Sequence, residues 1–178
     1  MQGLEERRDQ ERLRRLASGD TAALAEIYDS HGERLFGHAL WLLRRRDEAE
    51  DAVHEVFLKL WAMGADLLRI RRPATYLMRM VHHAALDAIA SRSRRAELQT
   101  EPAYFEADGF DPERARLSAE AGRFLDRLPV DQREAVWLHL FEDLTFREVA
   151  KVTRVTTFTA ASRYRLAIEK LRRLFEGT

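Results

Sequence analysis

The chain has 178 residues, 46% of them hydrophobic and 34% charged, with equal numbers of acidic and basic side chains and no cysteine. That length admits one domain or two small ones, and the lack of cysteine excludes disulfides, thiol catalysis and Cys-ligated zinc. No stretch approaches the roughly 18 uncharged apolar residues of a membrane span, and no apolar core follows Met1-Gln2-Gly3-Leu4 as in a signal peptide, so the expectation is a soluble, cytoplasmic protein without membrane insertion.

The zero net charge is unevenly spread. Residues 1–95 carry 17 basic and 15 acidic groups, residues 96–117 carry 2 and 6, residues 118–153 carry 5 and 7, and residues 154–178 carry 6 and 2. Two basic regions flank an acidic middle, a pattern that suggests separate surfaces for separate partners.

Helical periodicity dominates from the N-terminus. A short charged helix is expected at about residues 4–17. Over residues 22–43, Leu24, Ile27, Tyr28, Leu35, Phe36, Ala39, Leu40 and Leu43 share one side. Asp47 and Glu50 are spaced as a capping box, opening a helix with the stripe Ala49, Val53, Val56, Phe57, Leu60 and Trp61. After a break near Gly64, Pro73 suits the first turn of another helix, which buries Leu77, Met80, Val81, Ala84, Ala88 and Ile89. These segments predict a first helical domain, residues 1–95. Residues 96–117 hold Pro102, Gly109 and Pro112 among six acidic residues and read as a flexible acidic linker.

A second domain, residues 118–178, opens with a helix over Ser118–Leu128 that Pro129 ends. Asp131 with Glu134, and Thr145 with Glu148, have capping-box spacing. The first pair starts a helix with Ala135, Val136, Leu138, Leu140 and Phe141; the second starts a short helix through about Val152. The turn Thr153-Arg154-Val155 leads to a longer helix from Thr156 to about Phe175. A short helix, a three-residue turn and a longer helix form a helix-turn-helix. Ala160, Tyr164, Ala167, Ile168, Leu171 and Phe175 make its inward stripe. Thr157, Phe158, Thr159, Ser162, Arg163 and Arg165 lie on the outward side or its flanks, in the half that enters the major groove in this motif. Arginine bonds two acceptors on guanine, Ser and Thr reach phosphates or base edges, and Phe158 suits a thymine methyl. Arg154 stands where such turns usually hold glycine; a left-handed backbone there costs about 1–2 kcal/mol, which a phosphate contact would offset.

Several segments together resemble the extracytoplasmic-function (ECF) sigma factors. Ala49-Glu50-Asp51-Ala52-Val53-His54-Glu55-Val56-Phe57-Leu58-Lys59-Leu60-Trp61 is similar to the family's A-E-D-x-x-Q-E-V-F-x-x-x-W. Tyr76-Leu77-Met78-Arg79-Met80-Val81-His82-His83-Ala84-Ala85-Leu86-Asp87 resembles W-L-x-x-I-A-x-N-x-x-x-D. Leu128-Pro129 with Gln132-Arg133-Glu134, Leu144-Thr145-Phe146-Arg147-Glu148-Val149-Ala150 and Thr159-Ala160-Ala161-Ser162-Arg163 resemble L-P-x-x-x-R-E, L-S-x-x-E-I-A and T-V-K-S-R. The resemblance implies an all-α protein of two small helical domains, the second a helix-turn-helix. It implies that the first binds the polymerase clamp and opens the minus-ten region, and that the second reads the minus-thirty-five element and touches the polymerase flap. Its implied partners are core RNA polymerase, promoter DNA and an anti-sigma factor.

The resemblance places clamp docking on Asp51, His54, Glu55 and Leu58, which lie off the apolar stripe of their helix. Arg69, Arg71 and Arg72 fall in the loop before Pro73, and Arg79, His82 and His83 are expected on the outward side of the following helix. Residues 65–95 hold seven arginines against Asp66 and Asp87, and a basic loop with Tyr76 or a histidine for stacking suits single-stranded DNA. Trp41, Trp61 and Trp137 are expected in cores. Ala161, Leu166, Ile168 and Glu169 stand where the family often has basic residues, so fewer phosphates are neutralised and DNA binding by this domain alone is weaker. His83 and Asp87 share a helix face but have no third ligand at useful spacing, and no phosphate loop or HExxH occurs, so neither cofactor nor metal nor enzyme activity is expected. A stand-alone helix-turn-helix regulator and a helical interaction adaptor are the alternatives.

Overall fold

A computed structural model describes residues 2–96, 125 and 127–176. The acidic linker predicted at 96–117 and most of the helix predicted at 118–128 lie outside the described residues. The fold is all-α, with no strand among the described residues. The chain divides into two compact units, residues 1–105 and 106–178.

In the first unit α1 (Gln2–Ala17) ends at Gly19, whose φ of 97° only glycine adopts without strain. The Asp20 carboxylate then accepts the Ala22 backbone N–H at 3.0 Å and starts α2 (Ala22–Leu43). Arg44, left-handed at φ 60°, ends α2 by donating its N–H to the Leu40 carbonyl. Next come α3 (Arg46–Ala62), a 310 turn (Gly64–Arg69) and α4 (Pro73–Ala96). Helices α2, α3 and α4 pack on one another, while α1 lies on α2 and the 310 turn. Ile27, Leu35, Leu43, Val56, Leu60, Leu67, Leu77, Met78 and Val81 fill the core, each large aliphatic side chain contributing about 1.5–3 kcal/mol by leaving water. On α1, Asp9 is buried and is matched by His31 at 2.8 Å and Arg12 at 2.9 Å. Burial raises its pKa, yet these two partners outweigh it and hold the carboxyl below its ordinary value.

Four expectations fail here. Asp47 and Glu50 form no capping box: α3 starts at Arg46, and Asp47 bonds the Arg45 guanidinium at 2.9 Å instead. Trp61 is not core but 58% exposed, and Tyr28 is also exposed, although its ring meets Phe57 edge-on at 5.0 Å. His82 does not face outward. It is 1% exposed, with Nδ1 3.2 Å from Nε2 of the buried His38, because α4 turns this position toward α2.

The second unit comprises Leu125, α5 (Val130–Val136), a π-helical turn (Trp137–Phe141), α6 (Phe146–Thr153) and α7 (Thr157–Glu176). Helix α7 packs against α5 and α6. The widened turn follows from the Glu142 N–H reaching the Trp137 carbonyl, five residues back, at 3.2 Å. It leaves Leu140 and Phe141 largely exposed, against their expected place in the stripe. Asp131 and Glu134 form no capping box, since α5 begins two residues earlier than such a box requires, with Pro129 as N-cap and no side-chain cap. Thr145 and Glu148 do form theirs, with both reciprocal bonds present.

Candidate nucleic-acid interface

The helix-turn-helix is α6, the turn Arg154–Thr156 and α7. The turn is held by the Val155 N–H on the Ala150 carbonyl at 3.0 Å. Arg154 does take the left-handed conformation, at φ 56°. Thr156 caps α7: its Oγ1 accepts the Thr159 N–H at 3.1 Å. Beneath, His139 donates to the Leu144 carbonyl at 2.7 Å, stacks on Phe146 at 4.2 Å and meets Tyr164 edge-on at 4.8 Å. Ala160 and Ala167 are fully buried against α5 and α6.

This packing fixes which side of α7 is free. Phe158 is 82% exposed. Thr157 and Arg165 are exposed, and Ser162 and Thr159 are half-buried. Arg165 has no ion-pair partner among the described residues, which leaves its guanidinium for phosphate or guanine. Arg163 differs. Its side chain is 28% exposed, with Nε 3.2 Å from Asp131 Oδ2 on α5, so the structure places it on the flank of α7 and not on the outward face.

In the first unit the segment between α3 and α4 is anchored on α1. Gln10 Nε2 donates to the Arg71 carbonyl at 2.9 Å, Glu6 sits 3.7 Å from Arg72, and Leu13, Leu67 and Ile70 are buried below. Arg69 pairs with Asp66 at 3.0 Å, in high-dielectric surroundings where such a pair is easily exchanged for a phosphate. Arg69, Arg71 and Arg72 are all exposed, as is Leu68 beside them. Tyr76 and Arg79 follow at the start of α4. The Tyr76 hydroxyl lies 3.5 Å from Met63 Sδ, and the Arg79 guanidinium covers its ring at 4.9 Å, so a base stacking on that ring face must displace Arg79. His83 is half-buried, edge-on to His82.

The outward face of α3 carries Asp51, His54, Glu55 and Leu58, all exposed, with Glu55 paired to Lys59 at 2.6 Å. Trp61 extends this face. It was missed because a tryptophan in an apolar stripe reads as core. The signal was its spacing: residues 54, 58 and 61 fall on one ridge of a helix. Leu58 and Trp61 make an apolar strip among charges, which suits a protein partner. Among the described residues no group of three His, Asp or Glu is placed to hold a metal ion, and no helix is long and apolar enough to cross a membrane.

Comparison with known proteins identifies this layout. Residues 27–95 match the family model for sigma-70 region 2, and residues 118–171 match that for sigma-70 region 4. A sigma-70 region-2 module followed by a sigma-70 region-4 module places the chain among the sigma-70-type factors. The ECF RNA polymerase sigma factor SigK of Mycobacterium tuberculosis (strain CDC 1551 / Oshkosh) is 30% identical over 174 residues, covering 90% of this chain and 89% of that one. SigK of Mycobacterium ulcerans (strain Agy99) is 29% identical over 175 residues, covering 93% and 92%. This chain therefore belongs to the ECF RNA polymerase sigma factors: it is a transcription initiation factor that directs RNA polymerase to promoters. Solved structures that share its fold include two complexes. CnrH, in complex with the cytosolic domain of CnrY, has a TM-score of 0.71 at 20% identity over 95% of this chain and 97% of that one. The sigma factor RpoE of Bartonella quintana, in complex with the anti-sigma factor NepR, has a TM-score of 0.67 at 20% identity over 85% and 96%.

Proposed function

We propose a division of roles within this initiation factor. The second unit reads the upstream, minus-thirty-five element in the major groove. Phe158 and Ser162 face base edges, Arg165 faces a guanine or phosphate, and Thr157, Thr159 and Arg154 face the backbone. The observation that carries this is the bare Phe158 and an Arg165 without an ion-pair partner among the described residues, at the N-terminal half of a capped, buried-flank helix. An 82% exposed aromatic is costly on a helix with no partner to cover it.

The first unit docks on the polymerase clamp through Asp51, His54, Glu55 and Leu58, with Trp61 added to that face. Its loop arginines Arg69, Arg71 and Arg72, with Tyr76, Arg79 and His83 behind them, receive the separated minus-ten strand. His82, sealed in the core, has no part in this. Since CnrH and RpoE were solved with CnrY and an anti-sigma factor respectively, an anti-sigma partner is proposed here too. A cytoplasmic location beside the polymerase and a role without catalysis of its own follow from this reading.

In vitro transcription with purified core polymerase tests the assignment. Phe158→Ala should lower initiation at promoters with the cognate upstream element and spare core binding. Leu58→Asp should abolish core binding and with it all specific starts. If Leu58→Asp leaves core binding intact, the docking face is misassigned.

A further inference from the structure

Arg163 sits within the recognition helix, where an arginine would ordinarily be counted among the groups that touch DNA. Its surroundings give it different work. Its guanidinium Nε meets Asp131 Oδ2 at 3.2 Å. Asp131 stands in the first turn of α5, and Glu134, three residues further along, is buried. Both carboxylates interact with Arg163: its charge pulls Glu134 toward ionisation, against burial and against Asp131. On α7, Arg163 lies three residues after Ala160 and four before Ala167, the two fully buried alanines. Phe158, Ser162 and Arg165 occupy the opposite side. Alanines pack closely but resist rotation poorly, since they offer no knob to lock a neighbour's groove. A charged cross-brace beside them supplies the missing restraint.

We infer that Arg163 is a positioning residue: by bracing α7 on Asp131 of α5 it sets the rotation at which Phe158, Ser162 and Arg165 meet the upstream promoter element. This deepens the role proposed above for the second unit. Specificity is then carried by the residues that Arg163 aims. The brace also explains an acidic side chain at a DNA-binding module. Asp131, about half exposed, repels phosphates, so its removal would strengthen binding if it did nothing else.

That opposition of sign makes the test. Full-length wild type, Asp131→Ala, Arg163→Ala, the double variant and Arg165→Ala are compared with core polymerase. The promoters are one with the upstream element intact and one with it scrambled. Asp131→Ala and Arg163→Ala should each lower selectivity for the intact element by about three- to tenfold, with the double variant no worse than either, because the two act as one unit. Initiation on the scrambled promoter and core binding should stay at the wild-type level. The slope of log affinity against log salt should be unchanged in Arg163→Ala but fall by about one in Arg165→Ala. Neutral or tighter binding by Asp131→Ala, or a slope change of about one in Arg163→Ala, would overturn the brace and make Arg163 a DNA contact. Equal loss on both promoters would overturn it in favour of a merely structural role. If wild type itself shows no dependence on the upstream element, the reading of the second unit fails instead. Hydrogen exchange along the first turns of α7 then decides the brace alone: it should quicken in both single variants and no further in the double.

Discussion

Burial pushes the Glu134 carboxyl up to about 7, with Arg163 lowering it and Asp131 raising it again. The unfolded carboxyl titrates near its ordinary value of 4.5, so between these pH values the folded state holds a proton that the unfolded state has released. The resulting stability is complete below the unfolded value and is lost as pH rises through 7, amounting to up to about 3 kcal/mol. Glu134→Gln should therefore stabilise the second unit above pH 7 and flatten its pH dependence between 5 and 8, read by hydrogen exchange of α5 and α7. His38 behaves oppositely. Burial, then the charges of His82 and Arg34, hold it well below 6.5. The unfolded histidine takes up a proton below 6.5 while the folded one resists, so this stability is present above 6.5 and lost as pH falls below it. Acidification from pH 7.5 to 5.5 should raise the opening free energy of amides in the second unit and lower it around α2 and α4. Both moving together would contradict the assignment of these two groups.

At the level of elements, two junctions matter: α1 with the basic loop, and the turn between α6 and α7. Among the contacts that hold the loop are a side-chain hydrogen bond from Gln10, a weak pair from Glu6 and the apolar side chains of Leu13, Leu67 and Ile70. Gln10→Ala removes about 1 kcal/mol of net hydrogen bonding and should slow formation of the open promoter complex several-fold while core affinity holds, measured by the kinetics of strand separation. In the turn, Arg154 is left-handed and non-glycine. Arg154→Gly should raise the second unit's stability by up to about 1 kcal/mol in thermal melts and lower DNA affinity if the guanidinium meets phosphate as proposed. The strained turn was legible in the sequence, as was the helix order, since both rest on local rules: apolar period, glycine preference and the Thr145–Glu148 box. Failures came where an adjacent competitor or a distant neighbour decided. Two of three capping-box spacings formed no box, because Arg45 captured Asp47 and because α5 started at Val130, ahead of Asp131. His82 read as outward on a polar scale, whereas a second histidine 44 residues earlier, His38, gives it a buried partner. The Arg163–Asp131 brace crosses 32 positions of sequence, and no spacing rule reaches that far.

For the molecule as a whole, neutrality is the governing fact. With a formal charge of zero, the chain as a whole has little long-range attraction for DNA, and in the N-terminal half of α7, the half that enters the groove, the basic side chains are Arg165 and Arg163, the latter paired with Asp131. Each phosphate contact forgone lowers affinity and its salt dependence together. The two units must therefore add their contacts on one template, and the chain joining them makes the second contact intramolecular. Linked modules meet at effective concentrations of about millimolar, worth about 10²–10⁴ in avidity when both engage together. A protease site inserted between residues 97 and 117 turns this into a measurement. Cut after folding, the chain should still bind core polymerase through its first unit. At dilute protein it should lose preference for the upstream element by about 10²-fold or more, and regain it when the second fragment is added toward millimolar concentration. Cutting should matter least on promoters whose upstream element has been scrambled, because there the second unit contributes nothing to lose. If the severed protein retains full selectivity at dilute concentration, then polymerase alone holds the second unit in place, and covalent continuity is not what couples the two halves.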